Sequence, residues 1–202
     1  MSTPAGYFED MYAAEADPWH LASRWYEQRK HALTVGVLTR DRYACAFEPG
    51  CSVGALTALL APRCDRLLAT DRVPAALAEA RRRLGDVPGL RLEPMAVPGE
   101  FPRERFDLVV LSEIGYYLDE PGLDRLVTAT RASLEPGGEL VAAHWRHPVP
   151  DHALTGDGVH DRLGAAEGLR RVSRHEEADF LLEVFVRVPP EPSSVAEREG
   201  LC

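Results

Sequence analysis

The sequence predicts a single α/β domain in which helices cover both faces of a mainly parallel β-sheet. Apolar runs of strand length alternate with helical patterns between residues 44 and 145. Such alternation implies parallel strands with right-handed crossover connections. The run 107–112 is almost wholly apolar, as expected of a strand buried on both faces. The last two strand-like runs, 169–175 and 179–188, are joined by too short a connection for a crossover, so we expect them to be antiparallel.

Each element has its own local signal. The predicted parallel strands are short apolar runs, and they span 44–48, 67–70, 90–94, 107–112 and 139–145. The predicted helices follow a helical period, and they span 21–38, 53–61, 74–84, 121–134 and 159–166. Asp17 and Pro18 are expected to begin the first helix, and Pro74 to begin the third. Residues 95–106 contain two prolines and a glycine, so we expect no full crossover helix there.

Length and composition limit the organisation of the chain. We predict an N-terminal helical cap segment over residues 1–40, a core over 41–188 and a disordered tail, rich in Pro, Ser and Glu, over 189–202. The net charge of −9 argues against a nucleic-acid partner. No apolar run suggests a membrane span, and the N-terminus does not resemble a signal peptide. The four cysteines show no paired spacing, so we expect reduced thiols and a cytoplasmic protein.

The most informative stretch is the first strand and the turn that follows it. The strand ends in the acid Glu48, and a turn with Gly50 and Gly54 leads into an apolar helix. A glycine in such a turn lets a ligand lie against the backbone, and the helix start offers free N–H groups. Asp71 ends the next strand, about 20 residues after the glycine turn, where a nucleoside site places its ribose-binding acid. These features predict a nucleoside ligand.

Four motifs in this order resemble the class I methyltransferases that use S-adenosylmethionine. They are the glycine turn, the acid after strand 2, strand 4 and the turn into strand 5: Phe47-Glu-Pro-Gly-Cys-Ser-Val-Gly54, Asp71, Phe106-Asp-Leu-Val-Val110 and Leu134-Glu-Pro-Gly-Gly-Glu-Leu140. The resemblance implies a three-layer, Rossmann-like fold whose seven-stranded, mainly parallel sheet ends in an antiparallel hairpin. It also implies S-adenosylmethionine as the methyl donor and S-adenosylhomocysteine as the product.

A narrower resemblance points to the nodulation protein S family. It is carried by Tyr7-Phe-Glu9, Asp17-Pro-Trp19, Trp25-Tyr-Glu-Gln-Arg-Lys30 and Glu113-Ile-Gly-Tyr-Tyr-Leu118. That family N-methylates the free amine of a deacetylated chitin oligosaccharide. The resemblance implies N-methylation of an amine on a small hydrophilic acceptor, with an amino sugar or a natural product as candidates. A small-molecule O-methyltransferase is the alternative, and we expect a monomer or a homodimer.

The resemblance also implies a set of cofactor-binding residues at the strand ends. They are Glu48, Pro49, Gly50, Cys51, Gly54, Asp71, Arg72, Met95, Ala96, Val97 and Ser112. Asp71 is expected to accept hydrogen bonds from both ribose hydroxyls, and Met95 lies where the adenine sits, although it is equally a core residue. In the N-terminal helix, Tyr26 and Arg29 or Lys30 are candidates for the cofactor carboxylate. We prefer Arg29 because a guanidinium binds a carboxylate in bidentate fashion.

Other side chains are candidates for closing the site, for catalysis and for acceptor binding. Trp19 is expected to close over the site. Glu113 ends strand 4 beside the expected methyl position and is the first candidate for accepting an amine proton or fixing an ammonium. It is otherwise an acid that holds a loop or the cofactor. His144 ends strand 5 and is the other candidate base. The candidate acceptor-binding residues are Tyr116, Tyr117, Trp145 and His160. The histidines at 144, 147, 152 and 160 lack metal-ligand spacing, so we expect no metal.

Three rival functions start from the same turn. Gly50-Cys-Ser-Val-Gly54 also spells the nucleophile elbow of α/β-hydrolases, with Ser52 as nucleophile. That elbow normally follows several strands, whereas this one follows the first, and no oxyanion segment precedes it. A dinucleotide oxidoreductase is disfavoured because the third glycine of its fingerprint is missing. A non-catalytic nucleoside-binding protein stays open.

Overall fold

The computed structural model describes residues 1–202 and contains one seven-stranded sheet. The strands are β1 (Ala46–Pro49), β2 (Leu67–Asp71), β3 (Leu90–Pro94), β4 (Phe106–Ser112), β5 (Leu134–Trp145), β6 (Leu169–Glu176) and β7 (Phe180–Arg187). The α-helices are α1 (Ala5–Ala14), α2 (Trp25–Gly36), α3 (Ala55–Leu60), α4 (Pro74–Leu84), α5 (Glu120–Ser133), α6 (Gly156–Gly164) and α7 (Val195–Arg198). None of these helices combines the length and the apolar character needed to cross a membrane.

The strand order is β3-β2-β1-β4-β5-β7-β6. Strands β1 to β5 are parallel, and β7 runs antiparallel between β5 and β6. This confirms the predicted fold, and residues 95–105 contain no helix, as predicted. The order reverses between β1 and β4, and a sheet of this kind opens a ligand crevice at the carboxyl ends of the strands beside that reversal.

Two apolar layers cover the two faces of the sheet because successive strand residues point to opposite sides. On β4, Val109 and Leu111 belong to the layer that contains residues of α5 and α6. Leu108 and Val110, on the same strand, belong to the layer that contains residues of α3. All four side chains are almost completely buried, which explains why strand 4 reads as an unbroken apolar run. Packing in these two layers fixes the positions of β1 and β4 relative to each other.

The N-terminal segment differs from the expectation. No helix is predicted before residue 21, since Pro4 and Gly6 favour turns, yet Ala5–Ala14 form α1 with Pro4 as the N-cap residue. Helix α2 begins at Trp25 rather than Leu21. The carboxylate of Asp17 instead accepts hydrogen bonds from the N–H groups of Leu21 and Ala22 at 2.9 and 3.0 Å, and so closes a turn before α2. Packing of α1 against the sheet domain outweighs these local signals, since its Tyr12 is buried with Val53 and Val73.

The chain after β7 contains the single turn of α7. Ser194 and Glu197 form a reciprocal capping box at its start. The guanidinium of Arg198 donates to the carbonyl oxygen of Thr39 at 2.7 Å, which connects this segment to the end of the N-terminal segment. The boundaries at residues 40 and 188 stay a prediction.

Candidate active site

A cavity of about 420 Å³ lies at the carboxyl ends of β1, β2 and β4. Residues of α1 and α2 complete its wall, including Phe8 and Tyr12 from α1 and Lys30 from α2. The sequence-predicted site residues that line it are Trp19, Tyr26, Gly50, Asp71, Arg72, Met95, Ala96, Val97, Ser112, Glu113, Tyr116, Tyr117 and Trp145. The structure therefore brings together most of the predicted cofactor and acceptor residues in one cavity.

Asp71 is fixed at the end of β2 by backbone donors. Its Oδ2 accepts the N–H of Ser52 at 3.0 Å, and its Oδ1 accepts the N–H of Val73 at 2.9 Å. Burial raises the pKa of Asp71, while these two backbone hydrogen bonds act in the opposite direction. Each carboxylate oxygen has a second lone pair, so the side chain can still accept two hydroxyl groups from a ligand in the cavity.

The glycine turn needs Gly50 for two reasons. Its φ of +73° is a conformation that favours glycine, and a Cβ at this position would lie 2.3 Å from Cγ2 of Ile114. The turn after β1 therefore packs directly against the turn after β4. Because Gly50 has no side chain, it presents only its backbone to the cavity.

Ser52 also has a positive φ, of 52°, and its hydroxyl is hydrogen-bonded to that of Tyr12 at 2.5 Å. This contact joins α1 to the glycine turn. A serine nucleophile needs an adjacent base, and the partner here is a phenol instead of a histidine. Burial raises the pKa of Tyr12 far above its usual range, so the phenol stays protonated. The geometry gives no support to the hydrolase alternative.

Four predicted cofactor residues support the turn from behind and do not line the cavity: Glu48, Pro49, Cys51 and Gly54. The carboxyl group of Glu48 is buried and accepts the Thr57 hydroxyl at 2.7 Å, and burial raises its pKa to about 8. Gly54 caps α3 with a φ of +76°. Direct cofactor contacts from these four residues stay a prediction.

A buried charge cluster occupies the other end of the cavity. Nζ of Lys30 lies 2.8 Å from Oε1 of Glu113 and 2.9 Å from Oε2 of Glu27. Oε2 of Glu113 accepts the Tyr116 hydroxyl and, at 3.2 Å, the N–H of Trp145. Burial alone would lower the pKa of Lys30, but the two carboxylates raise it above its ordinary value. Three donors thus hold the carboxyl group of Glu113 in place.

The choice between Arg29 and Lys30 is decided by the orientation of α2. Arg29 lies outside the cavity lining and makes a bidentate ion pair with Glu177, with N–O distances of 2.9 and 2.6 Å. Lys30 lines the cavity and is 2% exposed. The preference for Arg29 is therefore not supported by its position, and Lys30 is the basic residue that α2 presents to the site.

The histidines are distributed differently from the expectation. His144 and His160 are completely or almost completely buried and do not line the cavity. Nε2 of His144 accepts the N–H of Gly115 at 3.2 Å, so its lone pair is unavailable to a ligand. This geometry does not support the predicted roles of His144 as the base and of His160 as an acceptor contact. Both rings lie between the sheet and α6 and outside the cavity lining.

His152 is the histidine that lines the cavity. Its ring stacks on that of Tyr116, with a centroid distance of 3.9 Å and an interplanar angle of 11°. Burial lowers the pKa of His152, which favours the neutral imidazole. No sequence pattern predicts this position, because the loop before α6 has no periodic repeat.

Aromatic side chains form much of the wall. Tyr26 and Trp145 are in edge-to-face contact with a centroid distance of 5.5 Å, and Phe8 and Tyr117 are at 4.9 Å. The Arg72 guanidinium lies 5.7 Å from the ring centre of Phe8. The buried hydroxyl of Tyr26 has no hydrogen-bond partner in the protein. Such an unpaired group in a cavity wall is available to a polar ligand.

No group of three or more His, Cys, Asp and Glu side chains has an arrangement suited to a metal ion. The polar groups that are present, an accepting carboxylate with free lone pairs, an unpaired phenol and a backbone turn, fit a nucleoside with polar substituents. They fit the expected methyl donor at the residues Gly50, Asp71 and Tyr26.

The fold is that of the class I methyltransferases. An N-methyltransferase NodS from Bradyrhizobium japonicum WM9, solved with S-adenosylhomocysteine, superposes with a TM-score of 0.77 at 29% identity, over 92% of this chain and 98% of that one. A proposed methyltransferase from Pseudomonas syringae is 44% identical with a TM-score of 0.72, over 81% of this chain and 100% of that one.

The sequence comparison identifies the family. The family model for nodulation protein S (NodS) matches residues 9–147, so this chain belongs to that family. Nodulation protein S from Rhizobium tropici is 36% identical over 130 residues, which are 63% of this chain and 55% of that protein. The chain thus spans little more than half the length of this curated relative.

Proposed function

We propose that this protein transfers the methyl group of S-adenosylmethionine to an amine nitrogen of a small hydrophilic acceptor. One observation carries the proposal: the Gly50–Asp71 cradle and the Glu113–Lys30 pair line the same cavity. Membership in the nodulation protein S family and the likeness to a NodS N-methyltransferase bound to S-adenosylhomocysteine support it. Cytoplasmic location, a monomeric or homodimeric state and the lack of a nucleic-acid partner remain predictions of the sequence.

On the donor side, the chain supplies binding groups. Asp71 would accept the ribose hydroxyls, and the backbone of Gly50 would lie against the donor. The unpaired hydroxyl of Tyr26 would donate to the carboxylate of the methyl donor. When bound, S-adenosylmethionine supplies a methyl group activated by the adjacent sulfonium. The protein therefore needs no covalent chemistry of its own, only the alignment of donor and acceptor.

On the acceptor side, the amine lone pair forms a bond to the methyl carbon while the carbon–sulfur bond breaks, and the nitrogen then loses a proton. Glu113 orients the nitrogen. Both of its carboxylate oxygens already accept hydrogen bonds, from Lys30, from Tyr116 and from a backbone N–H. The neutral imidazole of His152 is the better proton acceptor, since it lines the cavity beside Tyr116.

The experiment compares two acceptors that differ only at nitrogen. Glucosamine oligomers and the matching N-acetylglucosamine oligomers carry the same hydroxyl groups, but only the first has a free amine. Formation of S-adenosylhomocysteine is followed by mass spectrometry. We expect turnover with the first set only. Turnover with the acetylated oligomers would indicate O-methylation. No turnover with the glucosamine oligomers or with a panel of small amines would contradict the proposal.

A further inference from the structure

A chain of three polar side chains lies under the active site, on the side of the sheet that α6 covers. His144 is on β5, His160 on α6 and Glu183 on β7, and they are 0%, 2% and 0% exposed. Nδ1 of His144 lies 3.1 Å from Nε2 of His160, and Nδ1 of His160 lies 2.8 Å from Oε2 of Glu183. Ala142 pairs with Glu183 across the sheet, so His144 and Glu183 point to the same face.

The hydrogen bonds between His144, His160 and Glu183 can run in one direction only. The backbone N–H of Gly115 must donate, so Nε2 of His144 accepts and its proton is on Nδ1. Nδ1–H of His144 then donates to Nε2 of His160, whose own Nδ1–H donates to Glu183. Every polar group is satisfied when both rings are neutral and both carry the proton on Nδ1.

The far end of the chain is fixed by two arginines. Oε1 of Glu183 accepts from Nη1 of Arg171 at 2.9 Å and from Nη1 of Arg174 at 3.1 Å. Burial alone would raise the pKa of Glu183, but the hydrogen bond from His160 and these arginines lower it. Burial, followed by the neighbouring His160, lowers the pKa of His144 well below its usual range. The negative charge therefore stays on Glu183, and His144 stays neutral.

At the other end of these hydrogen bonds, His144 contacts the turn that carries Glu113 and Tyr116. A Cβ on Gly115 would lie 2.6 Å from Cγ1 of Val159 and 3.1 Å from Nε2 of His144, so only glycine allows this close approach. Glu113, two residues earlier, has a φ of 59°, which is an unfavourable conformation for a non-glycine residue. The ring of Tyr116 lies 5.4 Å from that of His144. A strained turn keeps its geometry only when its surroundings hold it.

We infer that His144, His160 and Glu183 are positioning residues that hold the Gly115 turn, and through it Glu113 and Tyr116, in the geometry required for methyl transfer. None of the three lines the cavity. The kinetic part of this inference rests on the proposed function. The structural part concerns the hydrogen bonds alone and is tested separately.

The first experiment reads the proton positions in the intact protein. Long-range ¹H–¹⁵N correlation spectra distinguish the two neutral histidine tautomers, and the His144 and His160 signals are assigned from their disappearance in the His144→Gln and His160→Gln variants. We expect the proton on Nδ1 in both rings, and slow exchange of the Gly115 amide. A proton on Nε2 of either ring would overturn the inference, whether or not the protein is an active methyltransferase.

The second experiment measures kinetics with S-adenosylmethionine and glucosamine oligomers. A glutamine amide presents an acceptor and a donor about as far apart as the two imidazole nitrogens, so His160→Gln preserves the chain while His160→Leu breaks it. Because a small misplacement of reacting groups is costly, we expect kcat to fall roughly tenfold to a hundredfold in His160→Leu. The KM for S-adenosylmethionine should change little, and His160→Gln should recover most of kcat.

Leu163→Ala is the matched control, since Leu163 is fully buried one turn further along α6 but has no polar role. It should lower the unfolding midpoint while the folded protein retains its kcat. Equal losses of kcat in His160→Leu and Leu163→Ala would reduce the histidine to ordinary packing and overturn the inference. If the wild type fails to turn over, the proposed function fails, and the spectra still decide whether the Gly115 turn is held as described.

Discussion

Nζ of Lys30 lies 2.8 Å from Oε1 of Glu113, and both side chains line the cavity. The contact joins α2 to the end of β4 at the place where we expect the acceptor nitrogen to react. Glu27 on α2 completes the cluster, which has two carboxyl groups for one ammonium group and so an excess of one acid. This excess suits an acceptor that arrives as a cation and is then deprotonated.

Lys30 and Arg29 provide a matched test of the buried and the exposed ion pair. Lys30→Met leaves Glu27 and Glu113 without their cation, and removing one partner of a buried pair typically costs about 3–5 kcal/mol. Arg29→Met removes only a partly exposed pair with Glu177 and should have a much smaller effect on stability and turnover. Urea denaturation and turnover measure both variants. Similar effects of the two substitutions would contradict the assigned orientation of α2.

Asp71→Asn should weaken binding of S-adenosylhomocysteine. Hydrogen bonds to a charged group contribute roughly 1.5–3 kcal/mol, which corresponds to an affinity loss of about tenfold to a hundredfold. Calorimetry with the 2′-deoxy analogue provides the specific control. The analogue should bind the wild type more weakly, but the substitution should then cost less, because part of the partner is already missing. An undiminished cost with the analogue would show that Asp71 acts only on the backbone of Ser52 and Val73.

Gly50→Ala tests the contact between the two turns. The new Cβ would meet Ile114 at 2.3 Å in a backbone conformation that itself costs about 1–2 kcal/mol for alanine. Ile114→Ala removes the clash but not the backbone strain. We therefore expect the double variant to bind S-adenosylhomocysteine better than Gly50→Ala alone, as measured by calorimetry. Strictly additive losses would mean that the two turns are not coupled.

His152→Gln tests the proton acceptor. The pKa of His152 is lowered by burial, so the imidazole is neutral near pH 7 and kcat should fall only when the pH drops below its ordinary value of about 6.5. The variant should lose this acid limb and about tenfold or more of kcat. His147→Gln is the control, because His147 is exposed and pairs with Asp179. An unchanged pH profile in His152→Gln would exclude this role.

His31 predicts how stability depends on pH. Burial, and then the charge of Lys30, lowers the pKa of His31 to about 4. Between its unfolded value of 6.5 and pH 4, the unfolded chain binds a proton that the folded protein does not, so stability falls as the pH falls through this window. At pH 5 the loss amounts to roughly 2 kcal/mol. In His31→Gln the difference between unfolding free energies at pH 7 and pH 5 should shrink; an undiminished difference would assign it to other groups.

Local patterns predicted that Gly50 and Asp71 lie together at one cavity. Gly50 and Asp71 follow strands directly, and parallel strands bring their carboxyl ends together whatever the details of packing. The orientation of α2 was not predictable in this way. Its register depends on where the helix begins, and the Asp17 turn moves that start from Leu21 to Trp25.

The histidine assignments show a second limit. A strand-end rule places both His144 and Trp145 near the cavity, but successive strand residues face opposite sides. Trp145 lines the cavity and His144 faces α6. These two neighbours on β5 therefore have opposite environments, and amino-acid composition does not show which of them faces the cavity. The position of His152 was not predictable from the sequence, because stacking on Tyr116 sets it and no repeating pattern does.

The central claim is that one cavity aligns a methyl donor with an amine. The most direct measurement is a reaction of S-adenosylmethionine, labelled with ¹³C in its methyl group, with a glucosamine oligomer, followed by NMR of the product. We predict the label on nitrogen, with one equivalent of S-adenosylhomocysteine formed for each methyl transferred. Label on oxygen, or consumption of the donor without transfer, would contradict the account.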